Sequence, residues 1–459
     1  MLYLNDDTIC ALSTAPGTAA IAVIRISGKE AFMMAEAIFS KTLQDKRSHT
    51  THFGQIRNDE HIIDEVLISI FKGPASYTGE DTVEIACHGS PYIQQEILKL
   101  LIAYGCRMAT AGEYSLRAFA NGKMDLSQAE AVADLIASNS AASHTMAMHQ
   151  MKGGFSKEIG ILREKLIDFA SLIELELDFA EEDVEFADRT ALSSLLNEAI
   201  TLIDRLIHSF SVGNVLKNGI PVAIVGAPNA GKSTLLNALL NEERAIVSNI
   251  AGTTRDAIED EMIIDGIAFR FIDTAGIRDT TDIIENLGIE KTYEKARQAR
   301  IILYLTDLTD PHWSDKAVKG IALLRELEPR EEKEIIVLAN KMDEVSGSVD
   351  TQQIDARLLS ISAKNGQGIE ELRSLLSEKV NLGELHSGQV IVTNTRHYEA
   401  LLHARTALNH VNTGLNDRIS GDLVAMDIRQ ALHHLGSITG QITTEDLLGS
   451  IFSRFCIGK

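Results

Sequence analysis

Proline is scarce in this chain, and its distribution is uneven. The 459 residues contain seven prolines, at 16, 74, 91, 221, 228, 311 and 329, and none in 92–220 or 330–459. A proline inside a helix costs roughly 3 kcal/mol, so the two empty stretches are where long helices are permitted. Cysteine is equally sparse. Cys10, Cys87, Cys106 and Cys456 are scattered, with no Cys-x-x-Cys pair and no matched histidines. That argues against a disulfide framework and against a zinc site. No apolar run approaches ~18 residues, so nothing is expected to span a membrane. The start, Met1-Leu-Tyr-Leu-Asn-Asp-Asp, has neither the basic region nor the apolar stretch of a signal peptide. A reducing, cytoplasmic setting is the expectation. Positive charge is also short: 43 Lys and Arg stand against 65 Asp and Glu, a net charge of −22. Strong nucleic-acid binding needs clustered cations. If RNA is a substrate, a basic partner is expected to hold much of it; a role for the acidity in solubility alone stays open.

What is present centres on Gly226-Ala-Pro-Asn-Ala-Gly-Lys-Ser233. The apolar run 222–225 before it reads as a buried parallel strand, and 234–240 after it reads as a helix. That strand–loop–helix context is what a P-loop requires. Gly226 and Gly231 let the backbone turn its N–H groups onto phosphate oxygens, with Asn229 and Ala230 between them, and the helix dipole adds to the attraction. Lys232 is expected to reach the β- and γ-phosphates, Ser233 to bind Mg²⁺ together with Thr254 downstream, and Thr234 to contact the nucleotide. Partner motifs follow in order. Thr253 and Thr254 lie in a switch-like Gly-Thr-Thr-Arg-Asp, and the strand 267–272 ends in Asp273-Thr-Ala-Gly276. Asp273 supplies a second Mg²⁺ carboxylate and Gly276 a γ-phosphate sensor. Further strands at 301–305 and 335–339 precede Asn340-Lys341-Met-Asp343, and Ser362-Ala363-Lys364 closes the set. Asp343 can accept from both the ring N–H and the exocyclic amine of guanine, so the expected nucleotide is GTP rather than ATP.

The length predicts two to four domains, and 45% hydrophobic residues leave material for several cores. Residues 1–120 mix strands (8–12, 19–26, 61–70, 82–87) with helices (29–39, 91–104), an α+β domain. Apolar residues recur at helical spacing from Ile159 to Leu172 and from Leu192 to Ile203. Three more helices are expected at 398–411, 423–435 and 443–455. The economical arrangement is one all-α domain formed by 121–217 and 384–459, with an α/β Ras-like P-loop domain, 218–383, inserted between hinges at Asn218-Gly219 and Leu382-Gly383. Two independent helical domains are the alternative. The acidic segment 174–188 reads as a solvated face or as a docking segment for a partner.

Over essentially its whole length the chain resembles the tRNA modification GTPase family called MnmE or TrmE. The motifs that carry this are Arg25-Ile-Ser-Gly28, Ser76-Tyr-Thr-Gly-Glu-Asp81, Glu84 with His88-Gly89, Ala111-Gly-Glu-Tyr114, Lys123-Met-Asp-Leu-Ser-Gln-Ala-Glu130, the P-loop set and the terminal Phe455-Cys-Ile-Gly-Lys459. The last is the most diagnostic, because P-loop GTPases in general do not carry it. The resemblance implies a homodimer that works with an FAD-containing partner, MnmG or GidA, in a heterotetramer or larger complex. Together they place a carboxymethylaminomethyl or aminomethyl group on carbon 5 of the wobble uridine of certain tRNAs. It implies a tetrahydrofolate-binding-like N-terminal domain that also dimerises. Its ligand, a 5-formyl- or methylene-tetrahydrofolate, would be contacted by Arg25, Glu84, Lys123 and Lys459. Read from its strand pattern alone, Arg25 also fits a structural salt bridge. Cys456 is a small hydrophobe on a plain reading and a candidate reactive thiol by the resemblance.

The resemblance further implies potassium-activated GTP hydrolysis, with K⁺ held by Asn229, Ser248, Ile250 and Thr253. Ile277 stands where Ras-like enzymes carry a water-orienting glutamine, and the matching family residue for that role is Glu285. A monovalent cation beside the phosphates could take over the task of an arginine finger. Two other functions compete with this one: a GTP switch of the ribosome-assembly type, and a folate-sensing regulatory GTPase.

Overall fold

The computed structural model describes residues 7–58, 61–178, 189–241, 260–272, 294, 296–327, 333–345, 354–378, 390–417 and 419–458. The chain divides into two compact units. One holds Met1–Ile136, Met148–Asp204 and Glu399–Lys459; the other holds Ala137–Ala147 and Arg205–Tyr398.

The first unit begins with strands β1 (Ile9–Leu12) and β2 (Ile21–Ser27), helix α1 (Ala31–Ile38), and strands β3 (Thr50–Asn58), β4 (His61–Phe71) and β5 (Thr82–His88). Helix α2 (Pro91–Ala103), the short β6 (Arg107–Met108) and helix α3 (Glu113–Ala120) follow. The sheet order is β3-β4-β5-β2-β1-β6, antiparallel except for β1 with β6. Alternation decides the layers. Ile24, Ile26, Ile68, Ile70, Val83 and Ile85 point into a core closed by Phe32, Ala35 and Ile38 of α1 and Ile97 and Leu101 of α2. Arg25 and Glu84, one step out of phase, therefore belong to the opposite face. Proline at the first position of α2 removes an N–H that has no helical partner there.

Strand β3 was not anticipated. Its inward positions include Gly54, whose place is fixed by the Phe39 ring: an added Cβ would lie 2.3 Å from it. With so few apolar residues the alternation that marks a strand is faint.

The long helices expected in the proline-free stretches are present there among the described residues. Helix α4 (Leu126–Ala137) leads to α5 (Ala141–Met151), α6 (Gly154–Asp178, 25 residues) and α7 (Arg189–Asn218, 30 residues). Near the end come α11 (Thr395–Asn416), α12 (Gly421–Thr439) and α13 (Glu445–Phe452), with α8 to α10 defined below. Helix α12 packs along α6, and Arg405 pairs with Asp204 at 2.6 Å, so helices from before and after the P-loop segment pack together. Thr444 caps α13 by accepting from Leu447 N. Leu448, Phe452 and Phe455 then pack on Leu126 and Ala129 of α4. Of the acidic segment 174–188, residues 174–178 form the last turn of α6, and 179–188 lie outside the described residues.

A buried ionic cluster ties the start of the chain to α3. Arg117 is 1% exposed and pairs with Asp7 at 2.8 Å, Glu113 at 3.1 Å and Glu80 at 3.2 Å. Arg107 bonds Asp7 and Glu113 from the other side. Hydrogen bonds from Arg107 and Arg117 hold the Asp7 carboxyl below its usual range. Burial alone would push Glu113 up, but Arg107, Thr110 and Arg117 outweigh it and the net shift is downward.

In the second unit, strand β7 (Ile220–Gly226) leads into α8 (Lys232–Asn241). Strands β8 (Asp260–Ile264), β9 (Ile267–Phe271) and β10 (Ile301–Asp307) follow, then helix α9 (Trp313–Leu327), strands β11 (Glu334–Asn340) and β12 (Arg357–Ser360), and helix α10 (Ile369–Glu378). The order is β12-β11-β10-β7-β9-β8, parallel except for β8 with β9. Both faces are covered, which explains the nearly unbroken apolar strands. Val222 and Ile224 pack with Leu235 and Leu239 of α8 and Leu372 and Leu376 of α10. Ala223 and Val225 pack with Ala317, Ile321 and Leu324 of α9. Helix α7 stops at Asn218 against Gly219, whose φ is +79°. The second expected hinge, Leu382-Gly383, lies outside the described residues.

Candidate functional site

The P-loop and Asn340-Lys341-Met-Asp343 follow the carboxyl ends of the parallel strands β7 and β11, where open α/β sheets bind ligands. The loop after β7 carries Asn229 at φ +63° and Gly231 at φ +99°, left-handed conformations that cradle anions. A side chain at Gly226 would place Cβ 2.1 Å from Leu305 O, so β7 can approach β10 only with glycine there. Lys232 Nζ donates to Gly226 O and Ala227 O, 2.9 Å each, which points its ammonium along the loop. Ser233 and Thr234 lie in the first turn of α8.

Asn340, at the end of β11, is 3% exposed. Its Nδ2 donates to Ala230 O at 2.8 Å, and its Oδ1 accepts from Ala363 N at 3.0 Å. One amide thus ties the P-loop to the Ser362-Ala363-Lys364 loop. Gly231 must be glycine for the same reason: a Cβ there would sit 2.4 Å from Asn340 Nδ2. Lys341 takes φ +66° and pairs with Asp307. Asp343 is exposed, and a hydrogen bond from Ser362, with the charge of Lys364, holds its carboxyl below the ordinary range. It is therefore an ionised acceptor across neutral pH.

Ser248, Ile250, Thr253, Thr254, Asp273, Gly276 and Glu285 lie outside the described residues, as does Ile277. Strand β8 follows the first of these segments, and β9 leads into the second.

A second polar site lies in the first unit. Arg25 of β2 and Glu84 of β5 are direct register partners. Arg25 Nε donates to Glu84 Oε1 at 2.9 Å, and Nη2 lies 2.8 Å from the same oxygen. The salt bridge that the strand pattern allowed is therefore present. Arg25 Nη1 also reaches Gly458 O at 3.4 Å, and Ser13 Oγ reaches that carbonyl at 3.3 Å. The guanidinium carbon stands 5.6 Å from the ring centres of both Tyr77 and Tyr114, within cation–π range. The tail runs in through a bridge between Ala111 and Ile457 and a bond from Gly112 N to Cys456 O at 3.4 Å. Gly458 has φ +97°, and a Cβ on it would meet Leu12 O at 2.4 Å.

Arg25, Glu84 and the terminal motif thus come together. Lys123 binds Pro74 O at 2.8 Å, on the loop that also carries Tyr77, without a bond to Arg25 or Glu84. Lys459 lies outside the described residues. Cys456 is exposed, which removes the reading of it as a packed hydrophobe; Cys10, Cys87 and Cys106 are buried, and all four are free. Among the described residues no cluster of His, Cys, Asp and Glu could hold a metal on its own, and no helix is long and apolar enough to cross a membrane. Sequence reasoning missed Tyr77 and Tyr114 as walls around Arg25, the Gly458 carbonyl and Asp307.

The family described as "GTP-binding protein TrmE N-terminus" matches residues 8–123, and "MnmE helical domain" matches 126–456. The tRNA modification GTPase MnmE of Flavobacterium johnsoniae is 57% identical, over 99% of this chain and 100% of that one. Those of Christiangramia forsetii (56%; 99% of each chain) and Bacteroides thetaiotaomicron (52%; 99% and 100%) are similar to the same extent. Among solved structures, the G domain of the T. maritima FeoB iron transporter is 23% identical over 35% of this chain and 97% of its own, with a TM-score of 0.25. With more than half of its residues identical to these full-length relatives and its two ends joined at one site, the chain belongs to the MnmE family of tRNA modification GTPases.

Proposed function

We propose that this protein hydrolyses GTP to drive modification of carbon 5 of the wobble uridine in certain tRNAs, together with an FAD-containing partner of the MnmG type and a tetrahydrofolate one-carbon unit. The GTP-binding unit, about 218–383, is an insertion in a helical domain built from 121–217 and 384–459; residues 1–120 form the folate-binding and dimerising domain. The packing of α12 along α6 supports the insertion. The protein works in the cytoplasm as a homodimer, and the partner supplies much of the basic tRNA surface that a net charge of −22 denies this chain.

In the nucleotide site, Lys232 meets the β- and γ-phosphates and Asp343 reads guanine. Mg²⁺ needs hard oxygen donors; the hydroxyl of Ser233 in the first turn of α8 suits it, with Thr254 and Asp273 as further donors. Asn229 carries its side-chain oxygen on the P-loop itself, and with Ser248, Ile250 and Thr253 it would hold K⁺, which supplies positive charge to the transferring phosphoryl group. Glu285 orients the attacking water.

The observation that carries the wider reading is the meeting of Arg25, Glu84 and the terminal tail, a polar site that a plain GTP switch does not need. Its residues fit a pterin. Glu84 pairs with Arg25 through Oε1, and no described residue bonds its Oε2, leaving an acceptor for an amine and a ring N–H. Lys123 and Lys459 would meet carboxylate or formyl oxygens, and Cys456 stands exposed beside the site as the reactive thiol. Titration of the purified chain with 5-formyl-tetrahydrofolate tests this. Saturable binding that Glu84→Gln weakens at least tenfold is expected. No binding by the unaltered chain would leave a GTP switch without folate chemistry.

A further inference from the structure

Asp307 is not part of any nucleotide motif, yet it sits under the guanine-reading loop. It ends β10, and its register partner is Asn340, the last residue of β11. Leu308 N donates to Asn340 O at 3.0 Å, which fixes the two strand ends to each other. Beyond Asn340 the chain turns through Lys341, a non-glycine residue at φ +66°. That conformation is unfavourable for a long side chain unless something holds it. What holds it is Asp307: Lys341 Nζ is in direct contact with Asp307 Oδ2, and both side chains are mostly shielded, at 30% and 23% exposure.

The carboxylate is itself fixed. Asp307 Oδ1 accepts from Thr309 Oγ1 at 2.7 Å and from Thr309 N at 2.9 Å. Each oxygen therefore has a partner, and the group is turned into its own loop. Burial alone would raise its pKa, but the bonds from Lys341 and Thr309 outweigh this and keep it ionised. A carboxylate with its charge met on both oxygens is not a group that reads a base or a phosphate. It can only act through Lys341.

We infer that Asp307 is a positioning residue for nucleotide recognition: by pinning Lys341 in its left-handed turn, it sets Asp343, two residues on, at the place where the guanine edge is read. The inference rests on the GTP reading of this loop. It assigns Asp307 to affinity for the base and not to the chemical step, because nothing in its surroundings connects it to the transferring phosphoryl group.

The test is a double-mutant cycle on the full-length protein. Affinity is measured with a fluorescent GDP and by GTP competition; kcat is measured at saturating GTP; melting temperature is followed for every variant. Asp307→Asn is expected to raise Kd and KM about three- to tenfold, as for a partly shielded ion pair, with kcat within about twofold of the unaltered protein. Thr309→Val, which removes the Oγ1 bond to the carboxylate and leaves the one from the backbone N–H, is expected to move Kd in the same direction by a smaller factor. In a Lys341→Met background, Asp307→Asn is expected to add nothing further. An equal loss of affinity in both backgrounds, or a fall in kcat with KM unchanged, would overturn the inference. A fall in melting temperature without change in Kd would reduce Asp307 to a stabilising residue. Failure of the unaltered protein to bind GTP is a distinct result that overturns the nucleotide reading itself.

Discussion

Both atoms of the Asn340 amide bond within the protein, so its contribution to the nucleotide site is to hold two loops in register. The motif placed Asn340 in the nucleotide set; only the fold reveals that its partners are Ala230 and Ala363. The same holds for Lys341, whose partner Asp307 lies on a neighbouring strand, far away in sequence. The acceptor chemistry of Asp343, in contrast, follows from residue type. Its carboxyl is held below the ordinary range by Ser362 and Lys364, which suits it to the two donors on the guanine edge that we propose it reads. Asp343→Asn presents a donor in place of one acceptor. Competition binding is expected to show GTP affinity falling by about tenfold or more and xanthosine triphosphate overtaking it. Unchanged GTP affinity would move base reading to another residue.

At the scale of elements, the parallel strands β7, β10 and β11 were legible because both their faces are buried and the apolar runs are continuous. The long helices were legible from missing proline and helical spacing. Strand β3 was not, since its inward Gly54 owes its place to Phe39 in another element. Nor was the cluster around Arg117, whose members come from the chain start, the 73–81 loop, β6 and α3. This cluster has a consequence for acid stability. Asp7 and Glu113 have lowered folded-state pKa values. Their contribution is thus complete above the unfolded carboxylate range, near pH 4, and is lost as pH falls through their folded values. Melting temperature is expected to fall between about pH 5 and pH 3. Arg117→Met leaves Glu113 buried without that partner, and should destabilise the protein by about 3–5 kcal/mol at pH 7 with a flatter acid profile. An acid profile identical to that of the unaltered chain would remove the cluster from the account.

At the scale of the whole molecule, we propose a GTP site in one unit and a folate site in the other, serving a single modification enzyme. In the GTP unit, Ile277 stands where Ras-like enzymes carry a water-orienting glutamine, and we propose that K⁺ supplies the positive charge of an arginine finger. Single-turnover GTP hydrolysis is expected to be fast in KCl and slow in NaCl of equal ionic strength, with Asn229→Ala removing the difference. Since an arginine finger is worth ~10³–10⁵ in rate, the cation should supply an appreciable part of that. Glu285→Ala should slow hydrolysis in both salts. Equal rates in the two salts would remove the cation. The central claim is wobble-uridine modification, and mass spectrometry of tRNA nucleosides from a deletion strain tests it most directly. The account predicts loss of the C5-modified uridines and their return with the unaltered gene. Cys456→Ser should fail to restore them while its product still turns over GTP. Modified uridines at normal levels in the deletion strain would contradict the assignment.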